Sequence, residues 1–146
     1  MSGHHCSFYH HLDDSGPMQL MVATDLSIHA AWILLAAFVI SVLYEIYRAT
    51  VKKNISKYDN WNNFLKQNVL LYVADAIVIA LLFLRISWAP VVALVFCIVL
   101  IGIGIFYYSP RILLARQPSR IDWLENTLYL GLIFSAATVL VYALVI

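Results

Sequence analysis

The chain has 146 residues, of which 63% are hydrophobic and only 12% are charged. An ordinary soluble domain is about half apolar and about a quarter charged, so this composition excludes water as the main solvent of the protein. The formal net charge of +1 offers no broad basic surface, which excludes nucleic acid as a partner. We therefore expect an all-α integral membrane protein in contact with a lipid bilayer.

Residues 1–25 read as a polar tail, and residues 26–146 as a four-helix transmembrane bundle. At a helical rise of about 1.5 Å per residue, about 20 apolar residues are enough to cross a bilayer. In chain order, the predicted membrane-spanning helices cover approximately residues 26–47, 67–85, 89–108 and 122–145.

Two local patterns set the connections between these helices. Only a few residues separate the second and third spans, and Pro90 suits the first turn of the third helix, so a tight hairpin is predicted there. Further along, Ser119-Arg-Ile-Asp122 has the Ser-x-x-acid pattern of a helix start. The fourth helix is expected to begin at that point.

Basic residues predict the orientation of the bundle. Of the nine Lys and Arg residues, five lie in the first loop, three in the third loop and one, Arg85, at the second turn. Cytoplasmic loops collect positive charge. This distribution predicts that both termini are extracytoplasmic, with the plasma or cytoplasmic membrane as the location.

The polar tail is rich in potential metal ligands. Imidazole and thiolate groups bind copper and zinc, and a short tract of such residues is typical of a metal site. The alternative is an exposed tail whose histidines bind nothing specific. The predicted metal ligands are His4, His5, Cys6, His10 and His11.

Asp75 interrupts the second apolar stretch. Acidic residues inside a membrane are costly, face the bundle interior and are candidates for function. Depth counted from the helix ends places Cys97 and Ser135 at a similar level, so we expect Asp75 to meet one or both. The alternative is a protonated carboxyl that serves as structural glue by hydrogen bonding to Ser135. Ser135 also forms a small-xxx-small pair with Gly131, which predicts a close helix contact.

Other polar groups in the spans are scarce. Glu45 and Glu125 lie at predicted inner helix ends near Arg48 and Arg120, where interfacial ion pairing would explain them. His29 could hold a haem only together with a ligand from a partner subunit. The predicted helices therefore have almost no polar lining, and no catalytic motif is recognisable.

Several features follow one another over about the first 108 residues. These features are the outer His-rich tail, Leu43-Tyr44-Glu45, the tight turn after helix two, and Gly102-Ile-Gly104 followed by Tyr107-Tyr108. Their order resembles that of the copper-importing Ctr-type transporters. That family carries a Met-x-x-x-Met pair on helix two, which this chain lacks, and the fourth helix would be extra.

These features predict a non-catalytic subunit of a larger membrane protein complex, in contact with lipid and with other membrane subunits. A copper- or haem-containing respiratory or monooxygenase assembly would be a natural host. The alternative, which the resemblance implies, is a homo-oligomeric copper transporter or metal carrier.

Overall fold

The computed structural model describes residues 15–52, 61–63, 66 and 68–146. The described residues form helices and no β-strand. The helices in chain order are α1 (Ser15–Val51), α2 (Trp61–Asn63), α3 (Val69–Phe83), α4 (Ala89–Ile103) and α5 (Arg120–Val145). Helix α4 continues into a π-helical segment (Gly104–Leu113) and a short 3-10 turn (Leu114–Arg116).

Three helical stretches are long and apolar enough to cross a membrane: Met18–Val51, Ala89–Leu113 and Arg120–Val145. Only 28%, 28% and 22% of the residues in their most apolar windows are buried, so most of this apolar surface faces outward. Such a surface is stable in hydrocarbon and costly in water. The chain is therefore a membrane protein. Helix α3 is also apolar but has only 15 residues.

Helix α1 begins earlier than the sequence predicts. The charge of Asp25 suggested a boundary near residue 26, but α1 already starts at Ser15. The hydroxyls of Thr24 and Ser27 donate to the carbonyls of Leu20 and Ala23, four residues back in the same helix, at 2.8 and 2.9 Å. These polar side chains are thus satisfied inside the helix, which lets it continue past the apolar stretch.

A five-residue connection joins α3 to α4, as predicted from the sequence. Arg85 adopts a left-handed conformation with φ of 55°. Its N–H donates to the carbonyl of Leu82, and the N–H of Ile86 donates to that of Leu81. This pair of bonds is the Schellman ending of a helix, usually made with glycine at the left-handed position. It reverses the chain at once, so α3 and α4 form the expected hairpin.

The core contains many small residues where helices approach. Helix α1 packs most extensively against α5. Helix α5 also packs against α4, and α3 packs against α1. Small side chains let helix backbones come close. The resulting van der Waals contacts hold the helices together in lipid, where the hydrophobic effect does not drive their association. The fully buried positions of the core include Ala30, Ala31, Leu34, Ala37, Ala93, Cys97, Ile133, Ala136 and Leu140.

Candidate functional site

A polar cavity of about 100 Å³ lies inside the bundle. Helices α1, α3 and α5 and the α4–π-helix junction all contribute to its wall. Nine of its thirteen lining residues have polar side chains, which the sequence did not lead us to expect. The lining residues are Ser41, Glu45, Asn68, Leu71, Tyr72, Asp75, Leu100, Ile103, Gly104, Tyr108, Glu125, Asn126 and Tyr129.

The helical repeat explains why these residues meet. On α3 and just before it, residues 68, 71, 72 and 75 line the cavity, spaced as one face of a helix. On α5, residues 125, 126 and 129 do the same, and on α1 residues 41 and 45 are one turn apart. Each helix therefore turns one narrow polar stripe inward, while its remaining surface stays apolar.

Tyr72 is held in place from α1. Its hydroxyl and Oγ of Ser41 share a hydrogen bond of 3.0 Å. Its ring packs edge-on against Phe38, with 5.7 Å between ring centroids. These two contacts fix the ring orientation at the cavity wall and join α3 to α1.

Asp75 is the most deeply buried acid of this cavity. Its exposed fraction is 3%, and its Oδ1 has no hydrogen-bond partner among the described residues. The carboxyl lies close enough to Cys97 and Tyr129 to interact electrostatically with both. The structure thus places Asp75 and Cys97 near each other, on neighbouring helices of the hairpin.

Ser135 does not meet Asp75. It is exposed, and its hydroxyl donates to the carbonyl of Gly131 on its own helix at 2.9 Å. The expected hydrogen bond from Asp75 to Ser135 is therefore wrong. The small-xxx-small contact at Gly131 is also not formed within the described chain, because a Cβ built there would meet nothing within 4 Å.

The π-helical segment begins at the cavity. A Cβ at Gly104 would lie 2.8 Å from Cδ2 of Leu130, so glycine permits the close approach of this segment to α5. Five residues after Gly104, Ser109 accepts a 3.5 Å hydrogen bond from Nδ2 of Asn126. Tyr108, which lies within this segment, contributes to the cavity wall.

A second polar group, the Asp122 cluster (Tyr44, Arg48, Lys52, Ser119 and Asp122), joins the end of α1 to the start of α5. Oδ1 of Asp122 accepts from the Tyr44 hydroxyl at 2.6 Å and from Arg48 Nη1 at 3.2 Å. Oδ2 accepts from Lys52 Nζ at 3.2 Å, and from the backbone N–H and hydroxyl of Ser119 at 2.6 and 2.8 Å. The predicted capping interaction at the start of the fourth helix is confirmed, and it forms part of a larger network.

The charged groups of this cluster are buried. Arg48 and Asp122 have exposed fractions of 1% and 0%, so their ion pair is withdrawn from solvent. A buried charge depends on its hydrogen bonds, since burying a charge without compensating partners is very costly. The cluster thus fixes the register between α1 and α5.

Sequence reasoning did not find the Asp122 cluster. Tyr44, Arg48 and Lys52 are spaced four residues apart on one face of α1, a pattern that could have indicated a shared acidic partner. The interpretation of Glu45 and Glu125 as interfacial residues was also incomplete, because both line the cavity.

The predicted metal ligands His4, His5, Cys6, His10 and His11 lie outside the described residues. Within the described ranges, no group of three His, Cys, Asp or Glu side chains is close enough to hold a metal ion. His29 is exposed, and its Nδ1 donates to the carbonyl of Asp25 at 2.7 Å. This bond fixes the orientation of the ring, and Nε2 takes no part in it.

Comparison with protein-family models, curated proteins and solved structures finds no match for this chain.

Proposed function

We propose that this chain is a non-catalytic, multi-pass subunit of a larger membrane protein complex, with four membrane crossings. The observation that carries the proposal is the uncovered start of α1. Met18, Leu20, Met21 and Val22 have exposed fractions of 71%, 73%, 69% and 43%.

These four side chains spread around more than half of the helix. Consecutive residues of an α-helix point about 100° apart, so residues 20 to 22 span an arc of about 200°. Leu20 lines a shallow cavity with Arg85 and Ser87, which places these turns beside the α3–α4 connection at one end of the bundle. An apolar helix end at that level, with no described element covering it, is suited to contact with another membrane subunit.

Helix α3 decides whether the chain crosses the membrane three or four times. At a rise of about 1.5 Å per residue, its 15 residues extend about 22 Å, less than the ~30 Å hydrocarbon core. However, the short connection to α4 forces α3 to run back along a helix that is long enough to cross. A crossing by α3 places both ends of the chain on one side, and the basic loops make that side extracytoplasmic. The plasma or cytoplasmic membrane is the location this orientation fits.

Native mass measurement after gentle detergent extraction tests the subunit proposal. The unmodified chain is expected to remain with foreign membrane subunits at fixed stoichiometry, and the double variant Leu20→Ser, Met21→Ser is expected to release them. Leu70→Ser is the matched control, because Leu70 is 77% exposed on the outer face of α3. A lone monomer from the unmodified chain would overturn the proposal.

A closed homo-oligomer in the same measurement would favour the alternative function, a copper transporter or metal carrier. The outer tail is relevant to both functions, since we propose that His4, His5, Cys6, His10 and His11 bind copper or zinc. Metal analysis of the protein with and without residues 1–11 tests this site. An unchanged metal content would reject it.

A further inference from the structure

The shallow cavity beside the α3–α4 connection, which we call the hairpin cleft, has a volume of about 190 Å³. On α1, residues 20, 23, 24 and 27 line it, spaced as one face of a helix over about 10 Å of its length. The rest of its wall comes from the connection, the adjoining ends of α3 and α4, and the end of α5. Eight of its twelve lining residues are apolar, so the cleft suits a ligand with a hydrocarbon part.

Arg85 is the single charged residue in the lining of the cleft. Its side chain is exposed, and no ion pair among the described residues involves it. The hydroxyls of Thr24 and Ser27 already donate to carbonyls of their own helix, so they add little polarity to the wall. The cleft therefore combines an apolar surface with one positive charge, which favours a ligand that is part hydrocarbon and part anion.

The backbone of Arg85 gives independent support for a role of its side chain. Its φ of 55° lies in the left-handed region, which glycine adopts without steric cost and arginine does not. Strained positions of this kind persist where the surrounding structure or a function requires the residue. The turn by itself would favour glycine, so the turn does not explain why a guanidinium is present beside the cleft.

Trp88 indicates the level of the cleft in the membrane. It lies three residues after Arg85, and its side chain is 53% exposed. Tryptophan is enriched at the boundary between lipid headgroups and hydrocarbon. The two helices that meet at this connection, α3 and α4, are both apolar. Arg85 therefore lies at the level of lipid phosphates, next to the hydrocarbon that surrounds these helices.

We propose that the hairpin cleft binds one phospholipid with an anionic headgroup, whose phosphate contacts Arg85 and whose first acyl carbons lie against α1. A guanidinium presents paired N–H groups that match the oxygens of a phosphate. No lining residue is acidic, so the wall does not repel the headgroup. A zwitterionic headgroup carries its own ammonium group, which competes with Arg85 for the phosphate. All these contacts come from this chain alone, so the inference does not rest on the subunit proposal.

Native mass spectrometry of the purified, delipidated full chain in detergent tests the site without any partner subunit. The lipids to be titrated are phosphatidylglycerol, phosphatidylcholine and diacylglycerol with the same acyl chains. Phosphatidylglycerol is expected to saturate at one molecule per chain and to bind about tenfold more tightly than diacylglycerol, because only the former makes a charge-assisted contact. Phosphatidylcholine is expected to bind between these two. Equal binding of phosphatidylglycerol and diacylglycerol would overturn the proposal.

Inorganic phosphate distinguishes a lipid site from a site for a free anion. It lacks the acyl chains that the apolar walls contact, so millimolar phosphate is expected to leave phosphatidylglycerol bound. Displacement of the lipid by phosphate at constant ionic strength would show that the cleft takes the anion alone, and the lipid assignment would be wrong.

Two variants separate the charge of the cleft from its apolar wall. Arg85→Gln is expected to reduce the affinity for phosphatidylglycerol to that for diacylglycerol, whereas Arg120→Gln, which removes an exposed charge at the start of α5, is expected to change neither. Ala23→Phe fills the cleft and is expected to weaken both lipids, with Ala76→Phe on an exposed position of α3 as its control. Phosphatidylglycerol binding that Arg85→Gln leaves unchanged would contradict the proposal.

Arg85→Gly separates the ligand from the fold and keeps the test decisive if Ala23→Phe does not fold. Glycine relieves the strain of the left-handed turn, so the thermal unfolding midpoint without lipid is expected to equal or exceed that of the parent. The affinity for phosphatidylglycerol is nevertheless expected to fall about tenfold. A lower midpoint with unchanged lipid affinity would assign the arginine to the turn and would reject the lipid site.

Discussion

The hydroxyl of Tyr44 donates a 2.6 Å hydrogen bond to Oδ1 of Asp122, which ties the end of α1 to the first turn of α5. Arg48 reaches the same oxygen from the next turn of α1. Glu45 and Glu125, each within three residues of this link, line the polar cavity. The Asp122 cluster therefore positions two of the cavity's three acids.

Asp122→Ala is expected to be the most destabilising change in the Asp122 cluster. It removes the carboxylate that accepts from Tyr44, Arg48, Lys52 and Ser119, and breaking a buried ion pair costs about 3–5 kcal/mol. The free energy of unfolding can be measured in mixed SDS micelles, followed by tryptophan fluorescence. Thr127→Val serves as the control, since Thr127 is exposed and bonds only to its own helix. A loss no greater than that of the control would contradict the structural role of the cluster.

Tyr44→Phe is expected to cost about 1.5–3 kcal/mol, because it removes one neutral hydrogen bond to a charged acceptor and keeps the ring. The same unfolding measurement applies. The expected order is Asp122→Ala, then Tyr44→Phe, and a Tyr44→Phe protein as stable as the parent would show that this 2.6 Å bond contributes nothing net.

Lys52→Met is expected to cost less than about 1 kcal/mol. Lys52 is 19% exposed, so its ion pair with Asp122 is partly screened by solvent. Its removal leaves Asp122 with the donors Tyr44, Arg48 and Ser119. A loss comparable to that of Asp122→Ala would contradict this ranking.

Asp75→Leu is expected to leave the thermal unfolding midpoint unchanged or higher. Oδ1 of the carboxyl has no hydrogen-bond partner among the described residues, so replacement by an apolar group of similar shape removes a desolvation cost and breaks no bond at that oxygen. Thermal unfolding in detergent, compared with Ser135→Ala, provides the measurement. A clear fall for Asp75→Leu alone would show that the carboxyl stabilises the bundle.

Apolar segments, turn residues and caps were predictable from the sequence. Hydropathy located the long helices, the short connection located the hairpin, and Ser119 with Asp122 located the start of α5. These features are local, because a few consecutive residues determine each of them. The beginning of α1 was less predictable, since hydropathy marks a membrane boundary and not the end of a helix.

The direction in which side chains face was not predictable from depth alone. Counting residues from helix ends placed Ser135 at the level of Asp75, but a rotation of about 100° per residue decides which side chain faces inward. Ala136 is buried and Ser135 is exposed. The neighbours that Asp75 has on α5 come one or more turns earlier, at Tyr129 and Asn126. Only the packing of the helices determines that choice.

The number of crossings is the central claim, and thiol labelling of intact cells with a membrane-impermeant maleimide tests it most directly. Native Cys6 reports the beginning of the chain. In a Cys6→Ser background, Ile146→Cys reports its end and Gln117→Cys reports the second basic loop. Buried Cys97 serves as the unreactive internal control. Four crossings predict that Cys6 and Ile146→Cys react from outside and that Gln117→Cys reacts only after permeabilisation. Labelling that places residues 6 and 146 on opposite sides of the membrane would contradict the four-crossing bundle.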